Sequence, residues 1–558
     1  MTDVTVTVGA LPGWTILHEG ERTCWFTGYL LDPVARGEAA TPHALATVAD
    51  AGGSAEDVAR AVGSLTGHFA LIVQVPGRTI AAVDRVRSTP VFFAERDGVV
   101  HVDASAVRLR DHLGLGVDDI DPGAALAVAM SGYTVGTRTL YTGLAQLRAG
   151  EVLVVADGEP PHTERYYTYR AWRGQDRPQD TLVEELTAVT RGLFDDLANL
   201  AGDRTILVPL SGGLDSRLVV SGLREVGFDR IQTFAYGLPG NFEAAISERV
   251  ADRLGVPWFF VPVTHRMMRR AVTDPVHEAY LAWADTCASV PVEHEFLAVA
   301  ELRRRGWSGH DAIIVNGQSG DFVTGGHVPA ALLDPTRASS DTERRSAIVD
   351  ALIDKHYSLW ERLRTDANLD LLRTMLWDDI TTVAGLPDDP ARDYGLYEAS
   401  EWQNRQSRYI VTNQRIYEFF GFEWALPLWE ASYLDFWETV PPHEKFGQAL
   451  YRRMLERTDW GGVWRSIPGR QYVSPRWLRA SRPLLKAAVG AVSGRNGWAA
   501  FQRRYLDYWM DVQGKTAVVP YRRVVTDQRG ARHAVSWLTE SYLARHGLDW
   551  RGRPMSRP

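Results

Sequence analysis

A buried-strand pattern that breaks into a turn of glycine and serine constrains the fold of this chain more than any other feature. Residues 205–210 (TILVPL) are apolar, and SGGLDS follows directly at 211–216. The pattern predicts a strand over 206–210, a tight turn and a helix over 217–226. A glycine/serine turn alone is more often structural, but one placed between a strand and a helix lets main-chain N–H groups approach a phosphate. It is not a Walker A loop, and we expect Asp215 to hold a divalent cation beside that phosphate.

The same alternation continues downstream and predicts the fold class. Strands are expected over 231–235, 258–263 and 312–315, and helices over 182–200 and 242–254. Strands that alternate with helices indicate an α/β domain with a doubly wound parallel sheet, whose ligands bind at the carboxyl ends of the strands. Beyond about residue 345 the chain is expected to be mainly helical.

The N-terminal part has a different pattern and predicts a sheet-rich domain. Its short runs rich in β-branched and aromatic residues predict strands over 23–30, 69–75, 79–83 and 151–155, with a hairpin turn at Pro76-Gly77. A polar stretch over 173–180 is typical of a linker. We expect three parts, with boundaries at 1–172, 182–480 and 481–558, the last of them helical and basic.

Composition excludes several classes of protein. A formal charge of −8 with 45% hydrophobic and 23% charged residues is typical of a globular protein and argues against nucleic acid as the main partner. The two cysteines, Cys24 and Cys287, cannot form a disulfide framework and lack metal-ligand spacing, which favours a reducing cytoplasm. Neither a signal peptide nor an apolar run of about 20 residues is present, so no membrane span is expected.

The charge of one stretch opposes that of the whole chain. Residues 476–533 contain about twelve Lys or Arg and three Asp or Glu. A solvated helical face is the simpler interpretation. Contact with an anionic substrate, nucleic acid or a membrane surface is the alternative, and the sequence leaves both open.

A second glycine-rich loop supports a family resemblance. It reads NGQSGDFVTGG over 316–326 and follows the strand expected at 312–315. Taken with SGGLDS, it resembles the asparagine synthetases, whose ATP-pyrophosphatase domain cleaves ATP to AMP and pyrophosphate. The resemblance places Asp321 at the family's metal-binding aspartate and implies that Asp215 and Asp321 hold one Mg²⁺ on the pyrophosphate of ATP.

The resemblance extends over roughly residues 20–480. LTGHFA at 65–70, VDRVRSTPVFF at 83–93 and TLYTGLAQLRAG at 139–150 resemble the glutaminase half, and FGFEWALPLWE at 420–430 resembles the end of the synthetase half. It implies an N-terminal Ntn-hydrolase-like αββα sandwich followed by an ATP-dependent synthetase domain.

The first departure from the family pattern concerns glutamine hydrolysis. The family's glutaminase uses a terminal cysteine with its own α-amino group as base. Here residue 2 is Thr2, and several residues precede any matching strand. We therefore expect glutamine hydrolysis to be lost and Cys24 to be a small core residue rather than a relocated nucleophile.

The second departure concerns the amine-handling side. Gln318 stands where the family has an acidic residue, and Leu450 stands where it has a lysine. Lys445, Arg452 and His443 are the nearby candidates to supply positive charge or hydrogen bonds to an acyl-adenylate. The residues expected to bind ATP thus follow the family pattern, whereas those expected to handle the amine depart from it.

The predicted function is ATP-dependent amide-bond formation. The carboxylate of a small molecule or peptide is adenylated with release of pyrophosphate, and ammonia or a substrate amine then attacks. The catalytic residues expected are Asp215, Asp321, Gln318 and Lys445, with the two aspartates also binding Mg²⁺. ATP is expected to contact Val208, Leu210, Ser211, Gly212, Gly213, Leu214, Asp215, Ser216, Ala235, Tyr236 and Gly317.

Several alternatives stay open. Relatives without the nucleophile include β-lactam synthetases and lasso-peptide macrolactam cyclases of antibiotic biosynthesis, and other relatives act in surface-polysaccharide pathways. A homodimer is also left open. Sulfur transfer to RNA is less favoured, because it would need catalytic cysteines and a nucleic-acid module. The non-enzyme alternative is a catalytically retired nucleotide-binding scaffold.

Overall fold

The computed structural model describes residues 3–550, apart from 8–12, 32–39, 308, 310, 339, 468, 470, 471 and 474. The strands within the described residues are β1 (Asp3–Val6), β2 (Thr15–Glu19), β3 (Arg22–Leu30), β4 (Gly67–Val75), β5 (Arg78–Val83), β6 (Phe92–Arg96), β7 (Val99–Asp103), β8 (Ala145–Gln146), β9 (Glu151–Ala156), β10 (His162–Arg165), β11 (Ile206–Pro209), β12 (Ile231–Gly237), β13 (Trp258–Pro262), β14 (Ile313–Val315) and β15 (Glu423–Ala425).

The α-helices of the first 330 residues are α1 (Ala40–Ala49), α2 (Ala55–Gly63), α3 (Ala106–His112), α4 (Pro122–Ser131), α5 (Gln179–Ala201), α6 (Asp215–Glu225), α7 (Phe242–Leu254), α8 (His265–Ala271), α9 (Pro275–Trp283), α10 (Phe296–Arg305) and α11 (Gly320–Val323). Those that follow are α12 (Asp341–His356), α13 (Asp366–Thr381), α14 (Asp393–Glu401), α15 (Arg415–Phe419), α16 (Ala431–Glu438), α17 (Pro442–Lys445), α18 (Ala449–Thr458), α19 (Arg476–Tyr505), α20 (Asp507–Met510), α21 (Tyr521–Thr526) and α22 (Ala534–Arg545). A π-helix, Trp402–Ile410, continues directly from α14.

Two stacked sheets form the N-terminal domain. One has the strand order β1-β7-β6-β8, and the other has the order β10-β9-β5-β4-β3-β2. Alternate side chains such as Trp25, Ile72 and Val102 are buried between the sheets, as the two-residue period of a strand requires. Helices α1 and α2 cover the outer face of the six-stranded sheet, and α3 packs on β6 and β7. The predicted αββα sandwich is confirmed, as is the hairpin between β4 and β5, in which Val75 lies opposite Arg78.

A third sheet, built by the chain after residue 205, is parallel throughout and has the order β13-β12-β11-β14-β15. Helix α6 connects β11 to β12, and α7 connects β12 to β13. The strand order reverses between β11 and β14, and such a switch point opens a crevice at the carboxyl ends of the strands. The doubly wound sheet expected from the sequence is confirmed, and the functional loops should lie after β11 and β14.

Some element boundaries differ from those expected. Helix α6 begins at Asp215, two residues before the predicted start, so the aspartate belongs to the first helical turn. Strand β12 runs on to Gly237. Strand β15, three residues long, was not predicted from the sequence.

The C-terminal helices do not form a separate unit. Helices α4, α12, α13, α14 and α22 share one apolar core, to which the buried Trp360 and Trp537 belong. The boundary expected between residues 480 and 481 falls inside α19. Among the described residues, no helix is both long and apolar enough to cross a membrane.

One part of the C-terminal segment lies on the end of the parallel sheet. The N–H of Leu238 donates to the carbonyl of Val512 at 2.8 Å. Gly237 has φ 123°, and a Cβ there would lie 2.3 Å from the same carbonyl oxygen. Only glycine allows this approach, which brings residues 511–518 to the carboxyl end of β12.

Candidate functional site

Serine hydroxyls within the loop after β11 accept hydrogen bonds from its backbone. The N–H of Ser211 donates to Ser216 Oγ at 3.0 Å, and the N–H of Gly213 donates to Ser211 Oγ at 3.1 Å. Helix α6 then starts at Asp215. Because the first N–H groups of a helix have no intrahelical partner, they can bind an anion at this loop.

The second loop packs directly against the first. The N–H of Asp321 donates to Asp215 Oδ2 at 3.0 Å. A Cβ at Gly320 would lie 2.5 Å from Asp215 Cγ, and one at Gly317 would lie 2.5 Å from the nitrogen of Ser216. These glycines lack φ values that require glycine, so it is the close contact between the two loops that excludes a side chain.

The two loops bring two carboxylates together, as predicted. Burial, together with the negative charge of Asp321, raises the pKa of Asp215 to about 7. Tyr451, which sequence reasoning did not place here, donates its hydroxyl to Asp215 Oδ1 at 3.0 Å. Although burial opposes the shift, His327 holds the pKa of Asp321 below its usual value. Two adjacent carboxylates are a fitting donor set for Mg²⁺, which is usually held by one or two carboxylates plus phosphate oxygens.

The loops border a cavity of about 1020 Å³ at the switch point of the sheet. That volume exceeds the usual 300–1,000 Å³ of ligand pockets and can hold a nucleotide with a second substrate. The predicted site residues that line it are Leu210, Ser211, Gly213, Asp215, Ser216, Ala235, Tyr236, Gly317, Gln318 and Asp321.

Four predicted site residues lie elsewhere. Val208 is fully buried in the core of the sheet. Gly212 approaches α7, where a Cβ would meet Ile246 at 3.2 Å. Leu214 and Lys445 are also absent from the cavity wall.

Lys445 is a buried structural cation. Its Nζ donates to Tyr169 Oη at 2.7 Å and to Glu398 Oε2 at 3.0 Å. The side chain is fully buried, and burial lowers its pKa although Glu398 opposes that shift. Its backbone lies under the second loop, where a Cβ at Gly325 would come 2.2 Å from the Lys445 carbonyl oxygen. The other cations considered do not line the cavity either: His443 is exposed and Arg452 bonds to Gln448.

Gln318 lines the cavity, but its amide is engaged within the protein. Its Oε1 accepts from Asn316 Nδ2 at 3.0 Å, and its Nε2 donates to the carbonyl of Ile410. Gln318 therefore ties the second loop to the end of the π-helix. Leu450, which stands where the family has a lysine, is fully buried in the apolar core.

Sequence reasoning missed a group of ionisable side chains that we call the Glu401 cluster: His327, His356, Glu401 and Arg405. Glu401 is fully buried and accepts from His327 Nδ1, while its Oε2 lies 3.0 Å from His356 Nε2 and its Oε1 lies 3.4 Å from Arg405 Nη1. The three cluster members other than Glu401 line the cavity. These residues are spread over 79 positions of the chain, so no local motif announces them.

The cluster reaches the carboxylate pair. His327 Nε2 lies 3.2 Å from Asp321 Oδ2. Burial alone would lower the pKa of His327, but the charges of Glu401 and Asp321 outweigh it and raise the pKa to about 9. Lys355 adds a further cation to the cavity wall and donates its Nζ to the carbonyl of His327 at 2.9 Å. The cavity therefore carries positive charge next to Asp321.

The basic C-terminal stretch supplies another part of the wall. Lys515, Arg532 and His533 line the cavity. Burial lowers the pKa of Lys515, although the carboxylates of Asp511 and Glu243 oppose the shift. These three residues of the stretch thus face the cavity, while Arg476 and Arg479 are exposed on α19.

Two expectations concern the N-terminal domain. Cys24 is buried in the core between the six-stranded sheet and its helices, as predicted. Thr2 lies outside the described residues.

Part of this chain matches a known family model and a curated relative. Residues 191–458 match the asparagine synthase family model. Asparagine synthetase B [glutamine-hydrolyzing] of Escherichia coli (strain K12) is 25% identical over 239 residues, which cover 39% of this chain and 40% of that protein. The match thus spans less than half the length of this curated relative.

Solved structures give weaker likenesses. A glutamine phosphoribosylpyrophosphate amidotransferase from B. subtilis, complexed with ADP and GMP, has 12% identity and a TM-score of 0.20, and the match covers 46% of this chain and 74% of that one. A structure described as the allosteric regulatory enzyme of purine biosynthesis has 10% identity and a TM-score of 0.20, with 44% and 62% covered.

Proposed function

We propose that this chain activates a substrate carboxylate with ATP and converts it into an amide, because residues 191–458 match the asparagine synthase family model. One observation carries the proposal. Two loops at the switch point of a parallel sheet place Asp215 and Asp321 in contact, beside a helix N-terminus and a cavity of about 1020 Å³. Paired carboxylates beside free N–H groups suit a metal-bound pyrophosphate.

The first half-reaction uses the loop after β11. A carboxylate oxygen of the substrate attacks the α-phosphorus of ATP, the bond to the β-phosphate oxygen breaks, and pyrophosphate leaves. The N–H groups at the start of α6 and the hydroxyls of Ser211 and Ser216 hold the phosphate oxygens. Asp215 and Asp321 would hold Mg²⁺, which when bound offsets the charge of the pyrophosphate.

The second half-reaction uses the wall next to Asp321. An amine attacks the acyl carbon, AMP leaves, and the nitrogen loses a proton. Lys355 and Arg405 supply positive charge near the place where the carbonyl oxygen gains negative charge. Gln318 contributes by position, since its amide fastens the second loop.

The amine does not come from glutamine hydrolysed by this chain. Residue 2 is threonine where the family's glutaminase uses cysteine. We assign the amine to ammonia or to a group on the substrate itself, as in specialised-metabolite or surface-polysaccharide pathways. The two buried free cysteines fit a reducing compartment such as the cytoplasm.

The experiment measures pyrophosphate and AMP. The full chain is incubated with ATP, Mg²⁺ and a panel of carboxylic acids, with and without ammonia or amines. We expect at least one acid to release pyrophosphate, and AMP and amide to appear in equal amounts once the amine is added. If nucleotide binds but no acid releases pyrophosphate, the chain is a retired scaffold and the proposal is wrong.

A second assay tests glutamine separately. The full chain and a Thr2→Ala variant are incubated with glutamine, and glutamate is measured. Equal background in both is expected. More glutamate from the parent chain than from the variant would contradict the loss of glutaminase activity while leaving the ATP half of the proposal standing.

A further inference from the structure

Three donor side chains of different kinds meet away from the cavity. The Oδ, Sγ and ring nitrogen atoms of Asp285, Cys287 and His546 all lie within 4.8 Å of one another. None of the three residues lines the 1020 Å³ cavity. Since His546 is 259 positions beyond Cys287, the cysteine spacing could not reveal this group.

His546 presents one ring nitrogen to the group without a hydrogen bond. Its side chain is only 1% exposed. Nδ1 lies 2.8 Å from Tyr141 Oη. Nε2 lies 3.1 Å from Asp285 Oδ2, at ion-pair distance, without hydrogen-bond geometry to any described residue. Asp285 is thus its close partner, and a metal ion between the two groups would be bound by both.

Asp285 also keeps one atom for the group. Its Oδ1 accepts from the N–H of Cys287 at 2.8 Å and from Tyr542 Oη at 3.0 Å. Oδ2 faces His546 instead. Two donors on Oδ1 therefore fix the orientation of the carboxylate. This orientation leaves Oδ2 facing the other two residues of the group.

Cys287 is held in an uncommon backbone conformation. Its φ is 50°, in the left-handed region, which is sparsely populated by residues other than glycine. Its N–H binds Asp285, and its carbonyl accepts from the N–H of Leu140 at 2.6 Å. Such conformations persist where surrounding contacts hold them, and they are frequent at ligand sites.

We propose that Asp285, Cys287 and His546 bind one zinc ion through Oδ2, Sγ and Nε2. A mixed set of thiolate, imidazole and carboxylate donors suits zinc rather than magnesium or calcium. Zinc–ligand bonds of about 2.0–2.3 Å put tetrahedral ligands roughly 3.5 Å apart, so no two of the donor atoms, which lie within 4.8 Å of one another, need to approach by more than about 1.3 Å. Tyr141 and Tyr542 already orient the imidazole and the carboxylate, as the hydrogen-bond partners of metal ligands do.

The fourth position is left for water. Asp285 lines a second cavity of about 250 Å³, together with Asp111, Thr286 and Arg415. A water molecule from this cavity completes the coordination. Because zinc binds the thiolate form of cysteine, binding would release the thiol proton of Cys287 to solvent.

The zinc ion would fasten three parts of the chain. Tyr141 belongs to the N-terminal domain, Asp285 and Cys287 follow α9, and His546 follows α22. Helix α22 begins directly after Arg532 and His533, which line the cavity. The ion would therefore stabilise the C-terminal wall without touching substrate.

The test uses the full chain, stripped with a chelator and reloaded with one equivalent of Co²⁺ or Zn²⁺. We expect a thiolate-to-cobalt charge-transfer band in the near ultraviolet, its loss when Zn²⁺ is added, and one zinc per chain after gel filtration. Absence of both the band and retained zinc in the parent chain would overturn the proposal, whatever the variants do.

Variants identify the ligands. Cys287→Ala and His546→Gln should each weaken zinc binding at least 100-fold and abolish the cobalt band, and Tyr141→Phe should weaken binding about 10-fold. Cys24→Ala, which removes the other buried cysteine, and Asp215→Asn should keep the band. A band that survives in Cys287→Ala, or disappears in Cys24→Ala, would contradict the assignment. Neither result depends on the amide-forming activity.

Discussion

The two loops after β11 and β14 and the Glu401 cluster border the same cavity, yet they are built by different means. The loops act through backbone N–H groups, glycines and two carboxylates carried by short contiguous segments. The Glu401 cluster acts through side chains that come from the turn after α11, from α12 and from α14 with its π-helical continuation, and that meet at one buried carboxylate. Under the proposed function, phosphate and metal binding would constrain the loops through their backbone, whereas the cluster depends on the charges of individual side chains.

The largest effect is expected from the carboxylate pair of the loops. Asp215→Asn and Asp321→Asn should each lower acid-dependent pyrophosphate release at least about 1,000-fold, because the metal loses a charged ligand. A coupled pyrophosphate assay measures this. Asp97→Asn, at a side chain that is 92% exposed in the N-terminal domain, serves as the control. Unchanged release in either loop variant would refute the metal assignment.

A methyl group between the loops should have the next largest effect. In Gly320→Ala the Cβ would lie 2.5 Å from Asp215 Cγ and 2.7 Å from Leu428 Cδ1. Because the loops must separate, pyrophosphate release should fall about 100-fold, as expected for a misplacement near 1 Å. Gly192→Ala in α5, where a Cβ meets nothing within 4 Å, should leave release unchanged. Equal activity of the two variants would show that the close contact is not needed.

The Glu401 cluster should show its effect in stability. Glu401→Gln leaves His327 and Arg405 without their buried countercharge, and we expect the free energy of unfolding to fall by about 2 kcal/mol, less than for full removal because the amide still forms hydrogen bonds. Denaturant unfolding at pH 7.5 measures this. Glu248→Gln, at an exposed position of α7, is the matched control and should change stability by less than about 0.5 kcal/mol. If the free energy of unfolding falls no more in Glu401→Gln than in Glu248→Gln, the cluster does not stabilise the fold.

The smallest effect concerns the C-terminal wall and depends on pH. Burial and the nearby charge of Arg532 lower the pKa of His533 from 6.5 to about 4, and its Nδ1 accepts from the N–H of Val535 at the start of α22. A depressed histidine pKa means that stability is retained above pH 6.5 and lost as the pH falls toward 4, since only the unfolded chain binds the proton. This group should account for about 1 kcal/mol lost between pH 6.5 and 5.5.

His533→Asn tests that contribution. Asparagine caps a helix without titrating, so the variant should fold and lose about 1 kcal/mol less over the same pH interval. Denaturant unfolding at the two pH values gives the difference. An acid slope identical to that of the parent chain would show that His533 does not carry this part of the pH dependence.

The difference between the loops and the cluster also explains what could be predicted. Helix α7 begins and ends at the predicted residues because an apolar period, a capping Asn241 and a terminal Gly255 all agree. The loop aspartates were found because their motif is local. Asp215 was placed before the helix rather than in its first turn, since a loop motif does not show where helical φ and ψ begin.

Residues assembled over long sequence distances were missed. His327 and Glu401 stand 74 positions apart and meet only through the tertiary fold, since His327 follows α11 and Glu401 ends α14. Lys445 was chosen for being close in sequence to the expected lysine, but it faces Glu398 in the interior. Nearness along the chain does not indicate which face of a short helix a side chain occupies.

The contact between Gly237 and Val512 has a consequence for how the protein is made. The end of β12 and the segment that covers it are 275 residues apart in the chain. At a synthesis rate of about 5–20 residues per second, the carboxyl end of the sheet waits roughly 15 to 55 seconds for that covering. A nascent chain thus exposes an incomplete cavity until the segment around Val512 has been made.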